Sequence, residues 1–162
     1  MKAYKNINDP QKSFVSPFVD RHSEKNKFFA SLNALIDWKI IAKELELNYS
    51  KGHTDRGAKA YSPVLLFKMH LLSKWYDMSD HQTEYMVNDS ISAMKFCGLT
   101  LEDQVPGHST LSRFKRELSN SHVLLDLEKK IETLLKAKGY KIRSGKARTE
   151  ARLQPAKRSL TH

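Results

Sequence analysis

The segment from Ser62 to Trp75 constrains the fold more than any other part of the sequence. Ser62 is a good N-cap residue and Pro63 suits the first helical position, so a helix is predicted to begin there. Apolar residues fall on most faces of this helix, namely Val64, Leu65, Phe67, Met69, Leu71, Leu72 and Trp75. Such a helix is stable only when several neighbours cover it. The segment therefore predicts a buried central helix in an all-α fold.

Helical patterns precede this segment. From Phe28 to Leu47, apolar residues recur at spacings of three to five, which is typical of amphipathic helix. Asp37 lies in the middle of the stretch and can cap the residues that follow it. We therefore predict two helices here, followed by a polar loop at 48–59 with the basic residues Lys51, Arg56 and Lys59.

Helix signals also follow the central segment, and nothing in residues 60–138 alternates as a strand does. Ser79 and Gln82 form a capping box, Ser90 restarts a helix, and Gly98 suits a left-handed stop. Two more helices are predicted, one at 110–118 capped by Ser109 and one at 121–138 with an apolar stripe.

Three regions follow from these patterns. Residues 1–27 are predicted to be a flexible arm, and residues 28–138 a compact multi-helix domain with a helix-turn-helix-like unit. Residues 139–162 are predicted to be a basic tail without regular structure. From 136 to 158 the chain has nine basic residues and one acidic residue, a composition typical of disorder.

The charge of the chain points to a polyanionic partner. The net charge is +10, and the sequence pI is about 9.7. The excess lies at the ends, because residues 121–162 carry 11 basic and 4 acidic side chains whereas residues 61–120 carry 6 and 7. Solubility alone is the simpler explanation of such a charge, so composition by itself does not decide between the two.

Several classes of site and location are disfavoured. Cys97 is the single cysteine, which rules out an internal disulfide, and its apolar setting indicates a core residue in a reducing compartment. Scattered histidines give no zinc pattern, and no glycine-rich phosphate loop is present. No signal peptide or membrane span is recognisable. We expect no cofactor, no small-molecule substrate and no membrane contact.

The helix at 110–118 is the candidate reader of DNA. On a helical wheel, Leu111, Phe114 and Leu118 face the core, and the opposite side is polar. Hydroxyls beside arginines suit a groove, because arginine grips guanine or phosphate. The predicted DNA-binding residues are Ser109, Thr110, Ser112, Arg113, Lys115 and Arg116. A positive helix dipole at the capped N-terminus would help. The alternative is an ordinary solvated face.

Five blocks of the sequence resemble bacterial DDE transposases of the insertion-sequence-five type. The strongest is VPGHSTLSRFK at 105–115. The others are IDW at 36–38, YSPVLLFKMHLL at 61–72, WYDMSD at 75–80 with EY at 84–85, and DSISAMKFCGL at 89–99. The resemblance covers about residues 28–138. The order and spacing of the blocks make it specific.

The resemblance implies a transposase N-terminal domain, which in this family binds the terminal inverted repeats of the element. The implied partner is double-stranded DNA at the element ends, in the bacterial cytoplasm. A nuclease-like catalytic domain follows in the family, where three carboxylates hold two divalent metal ions for strand cleavage and transfer. Divalent metal is therefore expected only in that catalytic domain.

The sequence departs from the family after Gly139. The family continues into a strand that carries the first catalytic aspartate. Here Tyr140 to Ile142 starts in that direction, but no apolar strand ending in aspartate follows, and Glu150 stands alone among basic residues. We therefore expect a truncated transposase fragment that is not an enzyme on its own.

Three other hypotheses stay open from the sequence. The chain could be an interaction module or inhibitor that associates with itself or with intact transposase through the apolar stripe at 121–138. That stripe can equally pack inside its own domain. The chain could also be a remnant without function, or the first part of an active enzyme made by ribosomal frameshifting.

Overall fold

A computed structural model of the chain describes residues 4–5, 24–53, 56–144 and 152–156. The first two helices are α1 (Glu24–Leu35) and α2 (Trp38–Asn48). Asp37 separates them as predicted, because its Oδ1 accepts a hydrogen bond of 3.0 Å from the amide of Lys39. Helix α1 begins at Glu24, which is earlier than the predicted start at Phe28.

Helix α3 (Pro63–Trp75) is the central element, and the prediction of a helix covered on most sides is confirmed. Leu66, Phe67 and Met69 are fully buried although they point in different directions from the helix axis. Helix α3 packs against α2 and against the helices that follow it. Helix α3 therefore lies against elements that precede it and elements that follow it, in keeping with a sequence that has no continuous polar face.

Helices α4 (Asp80–Asp89) and α5 (Ile91–Phe96) follow. The predicted capping box is present: the amide of Gln82 donates to Ser79 Oγ, and the amide of Ser79 donates to the Gln82 side chain. Ser90 Oγ caps α5 by accepting from the amide of Ala93. Gly98 has a φ of +79°, the left-handed stop that the sequence predicted.

The last two helices are α6 (His108–Asn120) and α7 (Val123–Ala137). On α7, Leu124, Leu127, Ile131 and Leu135 are buried in the core that this helix shares with the rest of the domain. The apolar stripe predicted at 121–138 therefore packs inside its own domain.

Four short strands complete the described structure. Strands β1 (Tyr4–Lys5) and β2 (Ala60–Tyr61) pair in parallel. Strands β3 (Tyr140–Arg143) and β4 (Arg152–Pro155) pair antiparallel, so the prediction of a tail without regular structure fails for these residues. Ile142 and Leu153 face each other in the pair and pack against the core, which supplies the burial that holds the strands there. The rest of the arm and tail, including Glu150, lies outside the described residues.

The fold is thus all-α with two small strand pairs, and one apolar core runs through it. Aromatic rings dominate the side of the core near α1: Phe29 stacks on Phe96 with ring centroids 4.9 Å apart, and Phe28 meets Trp75 edge-on at 5.6 Å. Within the described ranges, no helix has the length and hydrophobicity that crossing a membrane requires.

Candidate nucleic-acid interface

Helix α6 is anchored by one apolar edge. Leu111, Phe114 and Leu118 are each 0% exposed, as the wheel predicted. The ring of Tyr49 packs edge-on against Phe114 with centroids 5.3 Å apart, and this contact ties the end of α2 to α6. Because three successive turns are held in this way, the orientation of the opposite face is fixed relative to the core.

That opposite face carries Ser109, Arg113 and Arg116, all exposed. Nε of Arg113 donates to the carbonyl of Ser109 at 3.3 Å, so this guanidinium lies along the first turns of the helix. Among the residues that the structure describes, neither arginine forms an ion pair with a carboxylate. Both arginines can therefore bind an external anion without first breaking an ion pair within the described structure.

Ser112 and Lys115, two others of the six predicted residues, are held by α4. Ser112 Oγ donates to Asp80 Oδ2 at 2.6 Å, and Lys115 Nζ donates to Asp80 Oδ1 at 2.7 Å. Partial burial would raise the pKa of Asp80, but hydrogen bonds from Lys115 and Ser112 outweigh it and keep the pKa below its ordinary value. Asp80 is therefore an ionised partner, and it offsets the charge of Lys115. Thr110 is half-buried, and its position on the helix puts it on the side of Glu117, away from Ser112 and Lys115.

The N-terminus of α6 differs from the prediction. The N-cap is Gly107, not Ser109, and Ser109 lies inside the first turn. Oε2 of Glu84 accepts from both the amide and Nδ1 of His108, each at 2.8 Å. The ring of His81 stacks on that of His108, with centroids 3.6 Å apart. Because Glu84 already compensates this helix end, the dipole is not available to a phosphate in the way that the sequence suggested.

The contact with His108 also changes the pKa of the Glu84 carboxylate. The amide of His108 is the main cause that lowers the pKa of Glu84, and the His108 ring adds to the effect. Glu84 is consequently ionised at neutral pH and complements the positive end of α6. A side chain from α4 thus replaces the local serine cap that the sequence predicted.

The basic loop after α2 lies next to α6. The amide of Ser50 donates to Oε1 of Glu117 at 2.7 Å. Glu117 is one turn from Arg113 on the same helix edge. Lys51, directly after Ser50, is exposed. The loop therefore adds positive charge beside the arginine face. No local signal in the sequence reveals this placement, because Ser50 and Glu117 are separated by 67 positions in the chain.

The sequence of the chain matches a known protein family. The family model described as Transposase domain (DUF772) matches residues 17–117. The chain belongs to this transposase domain family. The match includes α1 to α5 and all of the exposed arginine face of α6, and it ends before α7 and the β3–β4 pair. No solved structure matches the chain.

In this transposase domain the connection before α6 is long. It runs from Cys97 to Gly107, far beyond the turn of about 3–4 residues in a helix-turn-helix. The amide and hydroxyl of Thr100 both donate to Asp103 Oδ2, and Pro106 is buried, so the connection has fixed points. Helix α6 packs on α4 and α3. The two helices that can be compared with those of a helix-turn-helix are therefore α4 and α6.

The fold also contains a buried charged cluster away from α6. Glu128 of α7 accepts hydrogen bonds from His70 Nε2 and Lys74 Nζ of α3. Burial would raise the pKa of Glu128, but the hydrogen bonds from His70 and Lys74 outweigh it and lower the pKa. His70 Nδ1 is buried and has no hydrogen-bond partner among the described residues. This cluster fastens α7 to α3.

The metal chemistry implied by the resemblance has no counterpart in the described ranges. There, no three histidine, cysteine, aspartate or glutamate side chains come together in a way that could hold a metal ion. Two-metal cleavage needs such a group of carboxylates. The described residues do not fit that centre.

Proposed function

We propose that this transposase domain binds double-stranded DNA through the exposed face of α6, as the part of a transposase that recognises the ends of its element. The single observation that carries the proposal is the position of Arg113 and Arg116. They project from a helix whose other side is fixed by three fully buried residues. A rigid helix with exposed arginines suits entry into the major groove.

We propose three roles within the six candidate residues. Ser109, Arg113 and Arg116 form the exposed face and are proposed to meet base edges and phosphates. Ser112 and Lys115 are proposed to act mainly in orienting α6 through Asp80. Thr110, being half-buried, is proposed to approach the sugar-phosphate backbone at the rim of the groove.

The loop next to α6 supports the same proposal. Lys51 follows the Ser50 amide that is fixed on Glu117. A cation at this position can hold a phosphate while α6 lies in the groove, and such contacts set the register of a protein on the duplex. The unit formed by α4, α5, the long connection and α6 is proposed to work as a helix-turn-helix variant, with α6 as its recognition helix.

The remaining parts of the proposal follow from the family and the sequence. We propose that the chain is of the insertion-sequence-five type, that residues 1–162 do not themselves carry a catalytic centre, and that they act in the bacterial cytoplasm without a cofactor. Strand cleavage is then not an activity of this chain alone. The test is incubation with labelled element-end DNA and Mg²⁺ or Mn²⁺. Specific nicking at the element ends by the wild-type chain would contradict this part.

The binding proposal is tested with duplexes that carry the inverted repeats flanking the gene and with scrambled duplexes of equal length. Fluorescence anisotropy at moderate salt gives the affinities. We expect the Arg113→Ala and Arg116→Ala variants to weaken binding to the repeat by roughly tenfold each, since a good bidentate base contact contributes about 1–3 kcal/mol.

A matched control removes the same charge elsewhere. Lys39 and Lys43 are exposed on α2, and the Lys39→Ala and Lys43→Ala variants should keep the preference for the repeat. If the arginine variants bind as the wild type does, α6 is not the recognition helix. If the wild type binds neither duplex, the function itself is wrong.

A further inference from the structure

A second cationic surface lies at the C-terminal end of the described structure, on elements other than α6. Ile142 of β3 and its partner Leu153 of β4 pack against the core. Because side chains alternate along a strand, Lys141 and Arg143 lie on the opposite side from Ile142. Both are exposed. The apolar pair therefore fixes the direction in which these two cations point.

Helix α7 adds a third cation. Lys136 is exposed in the last turn of α7, and with Lys141 it lines a cavity of about 170 Å³ between α3, α7 and β3. Glu132 lies at the same cavity, and so does Lys74, whose ammonium is already bound to Glu128. Lys136 of α7 and Lys141 of β3 thus meet at this cavity, and Arg143 follows two residues after Lys141 on the same face of the strand. We call Lys136, Lys141 and Arg143 the hairpin patch.

The three cations of the hairpin patch form no ion pair within the part of the chain that the structure describes, although the Glu132 carboxylate lies at the same cavity. Other lysines of the domain have carboxylate partners, such as Lys115 with Asp80 and Lys130 with Glu44. None of the three patch residues forms such a pair among the described side chains. From 136 to 144 the sequence has four basic residues and no acidic residue. A cluster of this kind attracts polyanions through its uncompensated field.

We propose that the hairpin patch binds the phosphate backbone of double-stranded DNA as a contact independent of base sequence. This proposal rests on the DNA-binding function proposed for α6 and adds a second point of attachment to it. Lysine and arginine on a short rigid ribbon suit phosphates, since they need charge and approach but no match to base edges. In this arrangement α6 supplies the preference for element ends, and the hairpin patch supplies affinity on any duplex.

The test is a double variant, Lys141→Gln with Arg143→Gln. Binding is measured by anisotropy over a range of salt concentrations on two probes, a duplex with the terminal inverted repeat and a scrambled duplex. We expect weaker binding on both probes by a similar factor. The slope of log K against log salt should become shallower by roughly 1–2, since each phosphate contact contributes about 0.9.

Two controls sharpen the experiment. The Lys39→Gln and Lys43→Gln pair removes an equal charge from exposed positions of α2 and should change the slope much less. The Lys141→Arg and Arg143→Lys pair keeps the charge and should keep the wild-type slope. Thermal unfolding followed by circular dichroism should give similar midpoints for all of these variants, because every changed side chain is exposed.

The outcomes separate this proposal from the function on which it rests. If the wild type prefers the repeat and the Gln variant keeps its affinity and slope, the hairpin patch is not a DNA contact while α6 remains one. An equal loss in the α2 control assigns the effect to net charge and overturns the proposal. A loss on the repeat alone assigns base recognition to the patch and overturns its independence of sequence. No binding of either probe by the wild type overturns both proposals.

Discussion

Glu84 and His108 are joined by two hydrogen bonds, from the backbone amide and from Nδ1 of the histidine, both to Oε2 and both 2.8 Å long. A carboxylate of α4 thereby caps the first residue of α6. This contact connects the helix that we propose enters DNA to the helix that braces it. The angle between α4 and α6 is therefore controlled in part by an ionisable pair near the protein surface.

The Glu84→Gln variant should be less stable than the wild type at pH 7. The folded-state pKa of Glu84 is lowered, chiefly by the amide of His108, so its carboxylate stabilises the fold above the ordinary pKa of 4.5. That contribution is lost as the pH falls through the lowered pKa. The difference in unfolding midpoint between the two proteins should therefore shrink towards zero in acid. Thermal unfolding at pH 3 to 7 measures it.

The Glu102→Gln variant is the control for this experiment, because Glu102 is an exposed glutamate in the connection before α6. It should follow the wild type at every pH. A Glu84→Gln difference that persists unchanged at pH 3 would contradict the role given to the Glu84 charge.

Replacing Asp80 by asparagine should strengthen binding to duplex DNA. Asp80 holds Lys115 and Ser112 on the α4 side of α6. Removing its charge frees the ammonium of Lys115 for a phosphate and removes a repulsive carboxylate. We expect a several-fold gain in affinity and a salt slope steeper by roughly 1, the contribution of one phosphate contact. Anisotropy over a salt series gives both quantities.

The Asp89→Asn variant makes the same change in charge at an exposed position at the end of α4. Its effect should be clearly smaller. Should Asp80→Asn bind DNA more weakly than the wild type, orientation of α6 by Asp80 would outweigh the charge of Lys115.

Lys68 makes stability depend on pH in the alkaline range. Its ammonium lies 4.4 Å from the centroid of the Trp38 ring and donates to Asn33 Oδ1 and to the carbonyl of Phe96. Burial lowers the pKa of Lys68 to about 8, against 10.5 when unfolded. Between these values the unfolded state binds more protons, so stability should rise with pH, by about 2 kcal/mol from pH 7 to 9.5.

The measurement is urea unfolding of the wild type and of Lys68→Met between pH 7 and 9.5. Cys97, whose pKa burial raises to about 12, acts in the opposite direction above pH 9. Both proteins contain Cys97, so its effect cancels in the comparison except for its charge interaction with Lys68. The wild type should gain stability relative to Lys68→Met as the pH rises. A constant difference would mean that Lys68 titrates normally in the folded protein.

Glu117 should control the position of the basic loop. The Glu117→Ala variant removes the acceptor for the amide of Ser50, which is held at 2.7 Å. Hydrogen exchange at the Ser50 amide should become about fivefold faster, in keeping with a net contribution of about 1 kcal/mol for such a bond. Glu117→Gln retains an acceptor oxygen and should restore most of the protection. Equal exchange rates in the wild type and Glu117→Ala would show that this contact does not hold the loop.

Much of the helical structure follows from the sequence because its signals are local. The caps at Asp37, Ser79 and Ser90 and the stop at Gly98 each involve residues within one turn, and all four lie where the sequence placed them. The cap of α6 is the exception. The N-cap is Gly107 and not the predicted Ser109, because Glu84, which is distant in the sequence, already accepts a hydrogen bond from the first amide of the helix.

Some features of the candidate site also follow from local sequence, and others depend on tertiary packing. The period of α6 determined which of its residues are buried, and so it determined that Arg113 and Arg116 point outward. The engagement of Lys115 by Asp80 and the docking of Ser50 on Glu117 depend on side chains brought together only by packing. Periodicity describes one helix at a time, and it carries no information on which charged side chain of a second helix will face the first.

The sequence by itself determined the all-α class, the buried central helix and the outward face of α6, because apolar spacing and capping act over a few residues. Tertiary structure alone decided that α4 occupies one edge and the N-terminus of that helix, that the basic loop lies at its other edge, and that Ile142 and Leu153 bring two strands of the tail together. These contacts join residues that are far apart in the chain, and their formation depends on how the core packs around α3.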